Sequence, residues 1–168
     1  MEKKLLILFL SFYIQLCGFC NEQIKAYFNS DCEKAVVAEI TKAKKNITIA
    51  IYSFTRLSIA EELSKASSNG VDVRILWDTT QLEGNEYALK SKEIMEKAKV
   101  KIFMVKKESK MHHKFMVIDN ETVLTGSFNF TTAASRYNDE NLIAVNNKKI
   151  AEKFLKAWEG VFLDYRKQ

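Results

Sequence analysis

The alternation of apolar and polar positions along the chain predicts a layered α/β domain. Short, strongly apolar runs of strand length occur at residues 47–54, 71–77, 100–105 and 142–145. Segments with the apolar spacing of amphipathic helices lie between or after these runs, at residues 30–43, 59–67, 86–98 and 148–163. Strands as apolar as ITIAIYSF are expected to be covered on both faces, so we predict helices on both sides of a central sheet.

A hairpin is predicted for residues 112–129, HHKFMVIDNETVLTGSFN. His112 and Lys114 begin its first strand and project from one face, because alternate residues of a strand point the same way. Asp119 and Asn120 form a turn signal between this strand and its return strand. The hairpin therefore carries a histidine beside a cation at one end and a tight turn at the other.

The return strand, residues 122–125, leads into Gly126-Ser127-x-Asn129 and brings a hydroxyl and an amide back beside the start of the first strand. Together with the histidine and the lysine, these groups offer proton transfer, positive charge and neutral hydrogen-bond donors. Such a set suits a tetrahedral anion, above all phosphate.

The spacing H-x-K-x4-D-x6-G-S-x-N resembles the signature of the phospholipase D superfamily, and the chain is similar to its small bacterial endonucleases. The resemblance extends to ITIAIYSFT at residues 47–55, NGVDVRI at residues 69–75, GSFNFTTAA at residues 126–134, NDENLIA at residues 138–144 and the helix around Trp158. It implies an α/β fold of the phospholipase D type, an α-β-α sandwich with a mixed central sheet. The flanking segments favour the nuclease branch over lipases.

Six residues are candidates for the chemistry, and five of them have one expected role each. His112 is the candidate nucleophile, whose neutral imidazole nitrogen attacks phosphorus to give a phosphohistidine, and the resemblance supports this role. Lys114, Ser127 and Asn129 are expected to hold the nonbridging oxygens of the phosphate. The resemblance also implies that Glu140 holds the histidine by accepting its second ring proton.

Asp119 has two interpretations, a turn residue that ties the hairpin or a direct participant in catalysis. The resemblance places it in the signature, and its position far from Lys114 favours neither interpretation. No H-E-x-x-H motif and no carboxylates at ligand spacing accompany the two histidines of the chain. The predicted mechanism therefore uses neither a metal nor a cofactor.

The net charge of +5 and a pI near 9.0 fit an anionic partner, nucleic acid or an acidic membrane surface, although lysine-rich surfaces also serve solubility. Lys106, Lys107 and Lys110 precede the hairpin, where they form either a basic lip that guides a polyanion to His112 or a solvated loop. Arg56 is a weaker candidate for a phosphate contact.

Residues 1–20 differ in kind from the domain predicted for residues 21–168. Lys3 and Lys4 precede an apolar run, which is the pattern of an export signal, and an uncleaved membrane anchor is the alternative. Either interpretation predicts a domain outside the cytoplasm, in the periplasm or anchored to the membrane and facing outward.

The three cysteines are interpreted separately. Cys17 and Cys20 lie in this apolar segment without a second ligand pair, which favours processing sequence over a zinc site. Cys32 is predicted to be a small buried residue at a helix start.

The predicted function is a metal-independent phosphodiesterase that cleaves nucleic acid, a DNA endonuclease with a preference for single strands. One alternative is a phospholipase D-type enzyme that hydrolyses phospholipid at the membrane. Another alternative is a non-catalytic polyanion-binding or DNA-uptake protein. The nucleophile at His112 argues against this alternative, because binding phosphate requires cations and hydrogen-bond donors but no nucleophile.

A homodimer is predicted from the reaction itself. Transfer through a phosphohistidine needs a second acid/base on the opposite side of phosphorus to protonate the leaving oxygen and then activate water. The chain has one signature, and His113 points to the opposite face of the strand from His112. We therefore predict a two-fold dimer with the active site on the axis and His112 and Lys114 of both chains around one phosphate.

Overall fold

The computed structural model describes residues 24–82, 84–106 and 110–167. The predicted export signal or anchor, residues 1–20, lies outside these ranges, and so do its two cysteines and Lys107. Within the described ranges, no helix is both long enough and apolar enough to cross a membrane.

Seven strands in the described ranges form one mixed sheet, in the order β1-β7-β6-β5-β2-β3-β4. The strands are β1 Ile24–Phe28, β2 Asn46–Ile51, β3 Asp72–Asp78, β4 Lys101–Val105, β5 Lys114–Ile118, β6 Thr122–Gly126 and β7 Asn141–Asn146. β2, β3 and β4 are parallel to one another, and the remaining pairs are antiparallel. Helices connect the parallel strands to one another. A tight turn connects the antiparallel strands β5 and β6, as is usual for this type of pairing.

Helices cover both faces of the sheet. They are α1 Ser30–Lys42, α2 Leu57–Ser68, α3 Glu86–Lys97, α4 Thr132–Arg136 and α5 Lys148–Arg166. The first four share a hydrophobic core with one face, while α5 packs against the other. The Trp158 indole of α5 donates a hydrogen bond of 2.8 Å to the carbonyl of Ile49 in β2, which ties this helix to the middle of the sheet. The predicted α-β-α sandwich with a mixed sheet is confirmed.

The sequence prediction missed two short elements and overextended one. β1 is an exposed edge strand, and α4 has only five residues, so neither leaves a strong periodic signal. The run predicted as a strand at residues 47–54 leaves the sheet after Ile51. The N–H of Tyr52 instead donates to the carbonyl of His113 at 3.0 Å, so the end of this run holds the loop that contains His112.

The predicted hairpin is confirmed as β5 and β6. Asp119 and Asn120 form its turn with φ values of 53° and 58°, the left-handed conformation that a two-residue hairpin turn of this kind requires. The N–H of Glu121 closes this turn by donating to the carbonyl of Ile118 at 3.0 Å, and the first ladder pair is Ile118 with Thr122. The prediction for Cys32 is also confirmed, because its side chain is fully buried in α1 and burial raises the pKa of its thiol to about 11.

Candidate active site

The functional residues meet at one end of the central strands, where β2 and β3 end and β5 begins. In open sheets, crevices at the carboxyl ends of parallel strands are the usual positions of ligand sites. His112 lies two residues before β5, and the backbone on both sides of it is fixed. The N–H of Met111 donates to Oδ2 of Asp78 at 2.7 Å, and the carbonyl of His113 accepts from Tyr52.

Asp78 was not predicted as a functional residue. Its side chain is only 1% exposed at the end of β3, and its other oxygen accepts from the N–H of Thr80 at 2.9 Å. A buried carboxylate that holds the residue before His112 is a positioning group for the histidine. The available sequence signal was an acidic residue directly after an apolar strand, which also fits an ordinary loop.

The ring of His112 contacts both Tyr52 and Lys114. The Tyr52 and His112 ring centroids lie 4.6 Å apart. Lys114 Nζ lies 3.2 Å from Nδ1 and 3.3 Å from Nε2 of His112, and it donates to the His112 carbonyl at 3.1 Å. An ammonium equally close to both ring nitrogens lies over the face of the ring. The in-plane lone pair that a nucleophilic imidazole uses therefore does not point at the lysine.

The environment of Lys114 suits an anionic ligand. Burial lowers the pKa of Lys114 below the usual range for lysine, and the Glu140 carboxylate opposes this shift. Lys114 is half-buried, so its charged ammonium is only partly solvated. A phosphate oxygen bound at Nζ would compensate for that lost solvation and stabilise the charged form.

Gly126 explains why the signature requires a glycine. A Cβ at this position would lie 2.2 Å from the backbone oxygen of Asn141, closer than any side chain permits. This close approach joins the end of β6 to the start of β7. The N–H of Ser127 donates to the same oxygen at 3.1 Å, and the N–H of Asn141 donates to Ser127 Oγ at 3.0 Å.

Glu140 is buried and bound within its own chain to groups other than His112. Its carboxylate accepts a short hydrogen bond from the hydroxyl of Ser127 and another from Nδ2 of Asn138 at 3.1 Å. Its N–H donates to Oδ1 of Asn29 at 3.0 Å. The structure therefore does not bring Glu140 to the ring of His112 in the same chain, contrary to the expected contact.

These bonds also define the role of Ser127. Its hydroxyl hydrogen points to Glu140, so Ser127 holds this carboxylate and the start of β7 in place. Donation to a phosphate oxygen, the predicted role, would require the hydroxyl to rotate away from Glu140.

Asn129 retains a donor for phosphate. Its side-chain oxygen is buried and has no hydrogen-bond partner among the residues that the structure describes. A buried oxygen without a hydrogen-bond partner costs free energy, so its position needs an explanation. Because the oxygen is buried, the Nδ2 group of the amide is the part of the side chain that can donate a hydrogen bond to a ligand.

Comparisons with known proteins identify the family of the chain. Residues 36–161 match the family described as "Cardiolipin synthase, PLD-like domain". The chain belongs to the phospholipase D superfamily. This membership confirms the predicted resemblance.

Relatives of this phospholipase D-like chain carry two kinds of name. It is 35% identical over 127 residues to "Phospholipase D" of Rickettsia conorii, covering 76% of this chain and 62% of the relative. It is 29% identical over 126 residues to "Mitochondrial cardiolipin hydrolase" of Xenopus tropicalis, covering 75% of this chain and 59% of the relative. The chain thus spans about three-fifths of the curated relatives that it matches.

Solved structures share the fold of this phospholipase D-like chain. Nuc, a phospholipase D family member from Salmonella typhimurium, has a TM-score of 0.79 and 31% identity, covering 83% of this chain and 93% of that chain. NucT from Helicobacter pylori has a TM-score of 0.72 and 22% identity, covering 83% of this chain and 96% of that chain. The likeness to NucT concerns the fold alone.

The basic residues that the sequence suggested for phosphate contacts do not all lie near His112. Lys110 Nζ lies 5.7 Å from the centre of the Tyr52 ring, the same ring that contacts His112. Lys106 is exposed after β4. Arg56 is fixed by Glu33, as its Nε–H donates to Oε1 at 2.8 Å.

His113 lies on the other side of the strand from His112. Its ring contacts Phe115 with centroids 5.5 Å apart, in the layer that α5 covers. Within the described ranges, no group of three or more His, Cys, Asp or Glu side chains could hold a metal ion.

Asp119 lies at the end of β5 opposite to Lys114. Its carboxylate accepts from the N–H groups of Lys44, Lys45 and Asn46 at 2.9, 2.7 and 3.1 Å. Burial alone would raise the pKa of Asp119, but these three N–H groups outweigh it and hold the pKa below its usual range. We therefore assign Asp119 the turn role and no direct part in the chemistry.

Replacing Asp119 with asparagine is expected to lower the free energy of unfolding by about 1–3 kcal/mol, because an amide Nδ2 would face a backbone N–H. Activity at a temperature well below unfolding is expected to stay within about twofold of wild type. Urea denaturation and a phosphodiesterase assay measure the two quantities, with the exposed Asp139→Asn as control.

The pH dependence provides a second check on the Asp119 substitution. A depressed carboxyl pKa contributes stability that is present above the unfolded value of ~3.9 and is lost as the pH falls through the folded value. The stability difference between wild type and Asp119→Asn should therefore shrink in acid. Lost activity with unchanged stability would contradict the turn role.

Proposed function

We propose that this chain is a metal-independent phosphodiesterase that cleaves nucleic acid through a phosphohistidine at His112. The observation that carries the proposal is the His112 ring packed on Tyr52, with the Lys114 ammonium over its face and the in-plane lone pair not directed at that lysine. An imidazole so placed is a nucleophile beside a cation that can bind the phosphate it attacks.

In the first step, the lone pair of a neutral His112 nitrogen forms an N–P bond while the bond from phosphorus to the leaving oxygen breaks. Lys114 neutralises charge on the nonbridging oxygens, and Asn129 Nδ2 donates to one of them. A second group protonates the leaving oxygen. In the next step, that group removes a proton from water, whose oxygen forms a P–O bond as the N–P bond breaks and frees His112.

The second group is proposed to come from another copy of the chain. His113 is the other histidine of the sequence, and its ring packs on Phe115 away from the His112 side. Glu140 is held by Ser127 and Asn138. A two-fold dimer with both His112 rings at one phosphate supplies nucleophile and acid from the same residue type.

Nucleic acid is the proposed substrate because basic side chains lie at the site and on the segment before it. The net charge is +5, and exposed Lys106 and Lys110 lie on the segment that leads to His112. A polyanion gains from several such cations at once, whereas an isolated phosphate gains from few. A DNA endonuclease activity is the form of this proposal that the sequence predicted.

A phospholipid is the second candidate substrate. The names of the relatives favour it, since the Rickettsia conorii protein is called phospholipase D and the Xenopus tropicalis protein is called a cardiolipin hydrolase. The predicted export signal or anchor is also consistent with a domain near a bilayer. We propose that the domain lies outside the cytoplasm, in the periplasm or attached to the membrane, for either substrate.

One assay separates these functions. Purified protein is incubated in EDTA with labelled single-stranded DNA, duplex DNA, RNA and vesicles that contain an acidic phospholipid. Cleavage of a nucleic acid, with the lipid intact, is the expected result. Lipid hydrolysis alone would establish the second candidate, and binding without cleavage of any substrate would favour a polyanion-binding or DNA-uptake protein.

A further inference from the structure

A cleft of about 640 Å³ opens beside the phosphate site. Tyr52 and Asn129 line it, and the Tyr52 ring is the one that packs on His112. Tyr87 at the start of α3 and Arg136 at the end of α4 also line it. The cleft therefore adjoins the catalytic centre, and its volume lies in the range of sites that hold one small organic ligand.

Tyr87 offers the cleft an aromatic surface. Its side chain is 64% exposed, although large rings are usually covered. The position of the residue is fixed, because Asn85 caps the helix by accepting from the N–H of Ala88 at 3.1 Å. An exposed ring on a fixed helix start beside a phosphate site is a stacking platform for a flat ligand.

Two arginines supply positive charge to the same cleft. Arg56 is half-buried and its Nε–H is used by Glu33, which holds the guanidinium in place with four N–H donors remaining. Arg136 is exposed on α4. A planar guanidinium binds phosphate oxygens in pairs, so these residues suit a second phosphate beyond the one at His112.

We propose that this cleft holds the nucleotide beside the cleaved phosphate of a single-stranded nucleic acid, with its base stacked on Tyr87 and a flanking phosphate bound by Arg136 and Arg56. The inference rests on the proposed nuclease function. A base in a duplex is already paired and stacked, so it reaches an aromatic platform only after unpairing. Hydroxyl-bearing lining residues such as Thr55 and Thr131 suit a nucleotide better than an acyl chain.

The test of Tyr87 compares three substrates of one length: a single-stranded oligodeoxynucleotide, the corresponding duplex, and an abasic deoxyribose phosphate oligomer. Wild type is expected to cleave the single strand with kcat/KM about tenfold above that for the abasic oligomer. In Tyr87→Ala this ratio should fall to near one, mainly through a higher KM for the single strand. Tyr87→Phe should retain the ratio because it retains the ring.

The test of Arg136 uses the same substrates at several salt concentrations. Arg136→Ala is expected to raise KM severalfold for the single strand and the abasic oligomer alike, and to flatten the salt dependence, because it removes a phosphate contact. Leu89→Ala, at an exposed position of the same helix as Tyr87, and Arg166→Ala, at the end of α5, are the matched controls and should behave as wild type.

The outcomes separate the cleft from the activity. If wild type cleaves oligonucleotides but Tyr87→Ala keeps the full preference over the abasic oligomer, the cleft assignment is overturned and the proposed function stands. Equal loss on all substrates with a lowered unfolding temperature would overturn it as well, by showing a structural role. If wild type cleaves only phospholipid, the proposed function and the cleft assignment both fail.

Discussion

Replacing His112 with alanine is expected to lower phosphodiesterase activity by at least about 10⁴-fold while the protein stays folded. The loss is large because the substitution removes the nucleophile, and the remaining phosphate contacts cannot form a covalent intermediate. The fold should persist because the side chain is exposed and its ring contacts are with Tyr52 and Lys114, at the edge of the sheet. Circular dichroism and thermal unfolding check the second part of the expectation.

His113→Ala provides a matched control for His112→Ala. It removes the neighbouring histidine, whose ring packs on Phe115, and it should keep activity within a few fold of wild type. Both variants and wild type are assayed with and without excess EDTA. Wild-type activity that requires an added divalent metal, or activity that persists in His112→Ala, would contradict the mechanism.

The intermediate itself gives a further readout of the same substitution. A substrate labelled on the side that is transferred should leave label on wild-type protein after a rapid alkaline quench, since the N–P bond stores that group between the two steps. His112→Ala should carry none. Label on the alanine variant would place the nucleophile elsewhere.

The fold was predictable where a local pattern determines it. The turn at Asp119 and Asn120 followed from residue types that accept positive φ, and the apolar runs identified β2, β3 and β4. β1 was missed because an exposed edge strand has few apolar positions to bury. The end of β2 was misplaced because Tyr52 continues the apolar run of the strand. In the structure this residue has left the sheet, and it contacts His112 and His113 at the active site.

The active site was predictable only in part, because only some of its contacts join residues that are close in sequence. His112 and Lys114 lie only two residues apart, so the local sequence brings them together, although His112 itself precedes β5. Asp78 holds the residue before His112 across 33 positions of sequence, and no local pattern reports such a contact. Glu140 was placed near the site correctly, but the structure shows that its carboxylate meets Ser127 instead of His112 in the same chain.

The absence of a contact between Glu140 and His112 within one chain is relevant to the proposed dimer. In one chain, His112 has a cation over its face and no carboxylate at its ring among the described residues, and no second histidine lies on its side of the strand. A complete two-step site needs an acid/base on the far side of the phosphate. A second copy of the chain supplies one without any new residue, because a two-fold axis repeats His112.

Mixing subunits tests this arrangement. Wild-type protein is exchanged with a threefold excess of inactive His112→Ala chains, so random pairing leaves about one quarter of the wild-type chains in wild-type dimers. If the site is shared, mixed dimers hold one histidine for two roles, and activity per wild-type chain should fall to about one quarter at saturating substrate. The same excess added just before the assay, without time for exchange, is the control and should leave the activity unchanged. Activity per wild-type chain that stays constant after exchange, or a fully active monomer by light scattering, would show that each chain carries a complete site.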